Sequence, residues 1–161
     1  MTYQIGDKIA HPLHGAGSIC EIEHKRVDGK TRSYYVLMIP KGDMRVMIPV
    51  DSCEQIGIRP IIDGNEFARI LAEIPKLPVL DDSNWNKRYR ENMLRLKSGK
   101  LLEVAGVVKS LVWREVRFGL SNGERKMLHS AKQILISEMM LSQSLEYEAA
   151  ERRLYDSLYE A

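Results

Sequence analysis

The sequence predicts an α+β protein in two parts, a small antiparallel β-module followed by a compact all-helical bundle. Three observations lead there. Short β-rich runs joined by tight turns fill residues 1–60, with Asp28-Gly29 between two of them; Asp-Gly flanked by strand-forming residues is a strong hairpin signal. Pro75 and Pro78 then interrupt the chain. Beyond them apolar residues recur at helical spacing, and Ser121 with Glu124 makes an S-x-x-E capping box, a specific mark of a helix starting at residue 122.

Taken in order, "DKIAH", "GSICEIEHKRV" and "RSYYVLMIP" read as strands, with the hairpin turn at Asp28-Gly29. Lys41-Gly42-Asp43 makes the next turn. In "MRVMIPV", Met44, Val46 and Ile48 fall on one face, and Arg45 and Met47 on the other. "SCEQIGI" is expected to be a last short strand. About five strands linked by turns suggest a curled sheet or small barrel. "GNEFARILAEI" places Phe67, Ile70 and Leu71 at helical spacing. Residues 61–82 are expected to hold this connecting helix and a proline-containing linker, with the prolines as boundary or hinge. The bundle occupies 83–161, with helix ends at Gly99 and Gly119.

The chain is 161 residues long, with 44% apolar and 29% charged residues and no apolar run of about 18 that would suggest a membrane span. The N-terminal residues lack a basic segment followed by an apolar one, so no secretory leader is expected. Cys20 and Cys53 form no CxxC pair, and a reduced cytoplasmic protein is expected. The net charge of +2 conceals a gradient: residues 84–133 carry 12 Lys/Arg against 4 Asp/Glu, while the segments before and after are net acidic. A basic middle between acidic flanks suits a polyanion; the plainer reading is lysine-rich surface helices.

The densest part of that middle is "DSNWNKRYRENMLRL". Lys87, Arg88 and Arg90 follow Trp85 at a helix start, where cations oppose the macrodipole. On a helical wheel, at about 100° per residue, Trp85, Tyr89, Met93 and Leu96 share one quarter turn, which favours an apolar stripe on a core. The first-turn position of Trp85 favours partial exposure. Arg125 and Lys126 crowd a second helix start. Two such starts are understandable if phosphates dock at both. Trp113, Met139 and Met140 read as core residues. His11 and His14 in "HPLHG" read as loop histidines without a metal, since no carboxylate or thiolate completes a ligand set. There is neither a Gly-rich phosphate loop nor a nucleophile–base pair, and neither an enzyme nor a cofactor is expected.

The stretches "GDKIAHPLHGAGSICEIE", "GDMRVMIPVD", "NWNKRYRENMLRLKSG" and "GLSNGERKMLHSAKQIL" together resemble the CarD/CdnL family of bacterial transcription regulators, from about residue 3 to residue 155. The resemblance implies a Tudor-like N-terminal β-module that binds the RNA polymerase β subunit, as the same module does in transcription-repair coupling factor. It also implies a helical domain that binds upstream promoter DNA. There Trp85 matches a tryptophan that wedges into the minor groove at the upstream edge of the melted bubble and holds the open complex. Lys87, Arg88 and Arg90 match a basic DNA-facing segment, Arg125 and Lys126 match basic positions at the start of a later helix, and Lys132 is counted with them as a DNA-binding candidate. Lys25, Arg45, Met47 and Pro49 are the implied polymerase contacts; relatives carry an arginine where this chain has Met47, and Arg45 on the same strand face is placed to substitute. The expected partners are polymerase and promoter DNA, read largely without sequence preference, with no membrane and no small-molecule ligand, in a nucleoid-associated cytoplasmic protein. The alternative from the residues is a protein-interaction adaptor whose helical part binds another protein.

Overall fold

The β-module begins as the turn chemistry demands. In the computed structural model, which describes residues 2–42 and 44–159, strands β1 (Lys8–His11), β2 (Gly15–Val27), β3 (Lys30–Met38), β4 (Arg45–Pro49) and β5 (Arg59–Pro60) form one antiparallel sheet in the order β4-β3-β2-β1-β5. Val27 pairs with Lys30 across Asp28 and Gly29, both at positive φ (51° and 78°), the geometry of a two-residue hairpin turn. Of the turn at 41–43, Asp43 lies outside the described residues, as do Met1 and the last two residues of the expected 83–161 segment. A bulge between Ile19 and Glu21 bends the long β2–β3 ribbon. One face of the sheet buries Ile9, Ile19, Tyr35, Leu37 and Ile48, closed by Tyr3, Cys53 and Ile58.

The segment "SCEQIGI" is not a strand. Val50–Ser52 forms a 3₁₀ turn and Cys53–Ile56 a single helical turn, α1, which Gly57 ends at φ 95° by donating its N–H to the Cys53 carbonyl. Cys53 and Ile56, three apart, both pack on the module core. Spacing of three belongs to a helix, whereas a strand would have sent them to opposite faces. The fifth strand follows, at Arg59.

Helix α2 (Gly64–Glu73) starts at Asp63, whose carboxylate accepts the Glu66 N–H at 2.8 Å. It connects the two parts, and it also belongs to the bundle, because Phe67 and Leu71, with Ile74 just after its end, lie in the same core as α4 and α5. The proline segment is strapped down. Lys109 donates to the carbonyls of Ile74, Pro75 and Leu77, Leu80 N–H donates to Ser110, and Arg114 pairs with Asp81.

Helices α3 (Trp85–Leu96), α4 (Leu101–Arg117), α5 (Asn122–Ser142) and α6 (Tyr147–Tyr159) complete the bundle. Gly99 and Gly119, at φ 77° and 79°, terminate α3 and α4. The core is built from Val104, Ala105, Val108 and Leu111 of α4, Ala131, Leu135 and Met139 of α5, and Leu154 of α6. Trp113 is outside it. The core stripe of α4 passes through Leu111 and Val112, and Trp113 lies half-buried on the flank with the Arg117 guanidinium 4.2 Å over its ring. Met139 is buried, and Met140 packs against the core from its edge.

Helix α5 fastens the β-module to the bundle. The Ser137 hydroxyl accepts the Ala16 N–H at 2.8 Å, and Gln133 donates to the His14 carbonyl. Gly15, at φ 101°, permits this approach; a Cβ there would run into Ser137 and lie 3.1 Å from the Gln133 carbonyl oxygen. Glu138, buried at 1% exposure, receives both guanidinium nitrogens of Arg59 at 2.8 Å and the Ile62 N–H at 2.9 Å. His11 stands at this junction too, its ring 4.5 Å from that of His14 and its Nδ1 accepting the Leu13 N–H. Burial, with His14 beside it, lowers its pKa to about 4, so it works as a neutral acceptor.

Removing the Glu138 carboxylate strands the Arg59 guanidinium and the Ile62 N–H together. Glu138→Ala is expected to cost about 2–4 kcal/mol, below the full penalty for a buried pair because Arg59 is one-third exposed. The measurement is the urea midpoint at unchanged slope; a loss under about 1 kcal/mol would mean the junction is held elsewhere.

Candidate nucleic-acid interface

The start of α3 neutralises its own cations locally. Asn84 is the N-cap, its side-chain oxygen accepting the Lys87 N–H at 3.0 Å. Just before it, Asp82 accepts the Asn84 N–H at 2.8 Å and pairs with Lys87 at 3.3 Å. The backbone hydrogen bond from Asn84, then Lys87, holds the Asp82 pKa below the ordinary carboxylate value. An acid in front of the first turn offsets the unfavourable placement of the cations behind it.

Trp85 is the first helical residue and remains 43% exposed. The stripe of Trp85, Tyr89, Met93 and Leu96 is real but graded: Leu96 is buried, Tyr89 and Met93 are half-buried, and Trp85 overhangs the end. The indole stacks on Tyr89, with centroids 5.0 Å apart and planes 16° from parallel, and its Nε1–H donates to the Ser121 hydroxyl at 3.1 Å. Gly123 makes room for the pair; a Cβ there would lie 3.3 Å from Tyr89 and 3.9 Å from Trp85.

Ser121 begins α5 with the full capping box. Its partner Glu124 is buried at 1% exposure and receives Arg88 Nε at 2.8 Å and Nη2 at 3.3 Å; Arg88 also donates to the Asp82 carbonyl. Arg88 is therefore not a phosphate contact. It is 4% exposed, with its charge consumed by Glu124. Lys132 also departs from the expected role. It lies far along α5, partly buried, paired with Glu151 at 3.0 Å and set 4.9 Å over the Tyr155 ring. The remaining cations stay available. Arg90, Arg125 and Lys126 are exposed and no ion pair among the described residues engages them, while Lys87 is exposed and shared with Asp82. The bond from Trp85 to Ser121 joins residues 36 apart in the chain, and no local pattern signals it.

On the β-module, Lys25, Arg45, Met47 and Pro49 lie on the face opposite the core, beside the sheet's β4 edge. Arg45, Met47 and Pro49 alternate along β4. Lys25 Nζ reaches Met47 Sδ at 3.5 Å, with Glu23 at 3.9 Å, and Arg45 is 4.0 Å from Glu21. The patch combines an exposed methionine with charges of both signs.

Two family models match this chain. Residues 70–155 match "CarD, C-terminal domain" and residues 3–62 match "CarD-like/TRCF RID domain". YdeB of Bacillus subtilis (strain 168), named as a candidate transcription factor, is 36% identical over 137 residues, covering 85% of this chain and 90% of its own. The chain belongs to the CarD/CdnL family. A solved structure, CdnLNt from Myxococcus xanthus, shows 40% identity and covers 38% of this chain and 87% of its own, with a TM-score of 0.33. As a CarD/CdnL member the protein is a transcription-associated regulator with an RNA-polymerase-interacting domain. The two matched regions lie on either side of the Arg59–Glu138 junction, and the second begins inside α2.

The Arg88–Glu124 pair gives this CarD/CdnL bundle a pH signature. Burial pushes the Glu124 pKa up, but hydrogen bonds from Arg88 and from the Ser121 N–H and hydroxyl outweigh it, and the net shift is below the ordinary 4.5. A carboxylate lowered by folding contributes stability that is present above its unfolded value and lost as pH falls through its folded one. Arg88→Ala is expected to lose about 3–5 kcal/mol at pH 7, by leaving Glu124 buried without its partner. Acid unfolding should move to higher pH, because the downward shift disappears. A variant with wild-type acid unfolding would contradict this role.

Proposed function

We propose that this regulator binds the RNA polymerase β subunit through its β-module and upstream promoter DNA through its helical bundle, and that Trp85 enters the minor groove at the upstream edge of the melted bubble to hold the open complex. The observation that carries this reading is a half-exposed tryptophan fixed at a helix start amid exposed Arg90, Arg125 and Lys126. Apolar side chains inserted at a base step unstack it at a cost of a few kcal/mol, offset by contacts to the deformed duplex. The cations supply sequence-independent phosphate attraction, weak alone and salt-sensitive. Tethering to polymerase then raises the effective concentration of the wedge at its site. No cofactor or small-molecule ligand has a part in this scheme, which operates on the nucleoid in the cytoplasm.

The adaptor reading has one observation in its favour. Val116 and Phe118 are 74% and 68% exposed at the end of α4, beside Trp113, and apolar patches of this kind bind proteins. Trp85 separates the two readings. With nearly half of the residue outside the core, Trp85→Ala is expected to cost about 1–2 kcal/mol of stability, well under the value for a fully buried aromatic. Polymerase binding should survive, and open-complex lifetime after competitor challenge should fall sharply. A stable variant with an undiminished lifetime would favour the adaptor.

The polymerase contact has its own test. Arg45→Glu reverses a charge on an exposed strand face and is expected to leave the unfolding temperature within a few degrees of wild type while weakening pull-down of the β subunit. Unchanged pull-down by the folded variant would move the contact off β4.

A further inference from the structure

We infer that Ser121 is a positioning residue for Trp85, its hydroxyl setting the orientation of the indole before DNA arrives. The inference rests on the wedge reading above and deepens it. A serine hydroxyl has one proton to donate and two lone pairs to accept with. At Ser121 all three are engaged: Oγ accepts from Trp85 Nε1 at 3.1 Å and from the Glu124 N–H at 3.2 Å, and donates to Glu124 Oε1 at 3.1 Å. An oxygen bound on all three sides is not a free rotor. Its partner Glu124 is itself immobile, buried and paired with Arg88. Rigidity thus passes from a buried ion pair through one hydroxyl to the nitrogen of a half-exposed ring.

The second constraint on that ring is its face. Stacking on Tyr89 fixes the plane, and the bond to Ser121 fixes the rotation within it. Gly123 is the third part of the device, since any side chain there would press on Tyr89. An indole held in this way does not have to surrender rotamer freedom on entering a base step, which is how preorganisation strengthens binding without new contacts.

The test uses the full-length protein carrying Trp113→Phe, so that Trp85 is the sole reporter of the two tryptophans. Ser121→Ala and Ser121→Thr are compared by Trp85 emission anisotropy, the indole N–H resonance, thermal unfolding, and open-complex lifetime with polymerase on a promoter. Ser121→Ala is expected to lower the anisotropy, shift the resonance and shorten the lifetime about two- to tenfold, the equivalent of one ordinary hydrogen bond; Ser121→Thr should restore all three. Since alanine also removes the α5 cap, a second variant leaves the cap intact. β-(3-Benzothienyl)alanine at position 85 keeps the ring shape without the N–H and should shorten the lifetime similarly.

If Trp85→Ala shortens the lifetime while Ser121→Ala and the benzothienyl variant keep it whole, the positioning role is overturned and the wedge stands. If Trp85→Ala leaves the lifetime unaltered, the wedge fails. The anisotropy and resonance of Ser121→Ala then decide the positioning claim: a loosened ring upholds it and an unchanged ring refutes it.

Discussion

The buried Glu138 carboxylate, gripped by Arg59 and the Ile62 N–H, is the constraint on which the rest of the molecule depends. It lies in α5, as do Ser137, which holds the start of β2, and Glu124, which anchors the start of α3. One helix therefore carries both attachments. From Ser121 to Glu138 it advances about 25 Å, at 1.5 Å per residue. Capped at its start and packed into the bundle core along much of its length, it links the two attachments directly. The Arg59–Glu138 attachment lies at the β5 edge of the sheet and the Arg88–Glu124 attachment beneath Trp85, so one helix joins the β-module to the start of α3.

Not all of the basic charge in the middle of the chain is available to a polyanion. Residues 84–133 carry an excess of eight cations, but several are consumed internally. Arg88 neutralises Glu124, Arg114 neutralises Asp81, Lys132 neutralises Glu151, and Lys109 ties three carbonyls of the proline segment. These interactions explain why a segment so rich in cations can fold into a tight bundle. What remains outward near Trp85 is Lys87, Arg90, Arg125 and Lys126, few enough that phosphate attraction alone would be weak at physiological salt.

Local chemistry was legible in the sequence wherever the cause is local. Asp28-Gly29 and the Ser121–Glu124 box formed as read, since each is decided by residues within one turn. The overhang of Trp85 was half legible, because the wheel gave its face and the first-turn position its height, but not the ring's partners. Arg88 was misread for a physical reason. Charged residues are seldom buried without a partner, and its partner lies 36 positions away. The wheel did hold a hint, since Arg88 and Asn92 both flank the apolar stripe, and both are buried. "SCEQIGI" misled because a short apolar run fits a strand or a helical turn equally until its contacts are known. Lys132 reads as one more cation of a basic helix until α6 places Glu151 beside it.

Under the proposed wedge role the protein acts by persistence rather than by tight binding, and the surroundings of Trp85 suit that role. In that proposal, weak phosphate attraction would let the bundle leave the duplex easily, and residence would come from the tether and from the geometry of insertion. Insertion geometry is lost if the inserting ring can swing away. Burying Trp85 would fix the ring but remove it from DNA, and full exposure would present it but leave it mobile. The observed compromise exposes 43% of the residue while fixing its plane on Tyr89 and its nitrogen on Ser121. Maintaining that compromise requires an immovable support directly beneath the surface, which the Arg88–Glu124 ion pair provides at 4% and 1% exposure. A buried pair of this kind is a poor source of net stability, because desolvation offsets most of its attraction. At this position its use is directional: it holds the start of α5 in one place, and the tryptophan takes its aim from there.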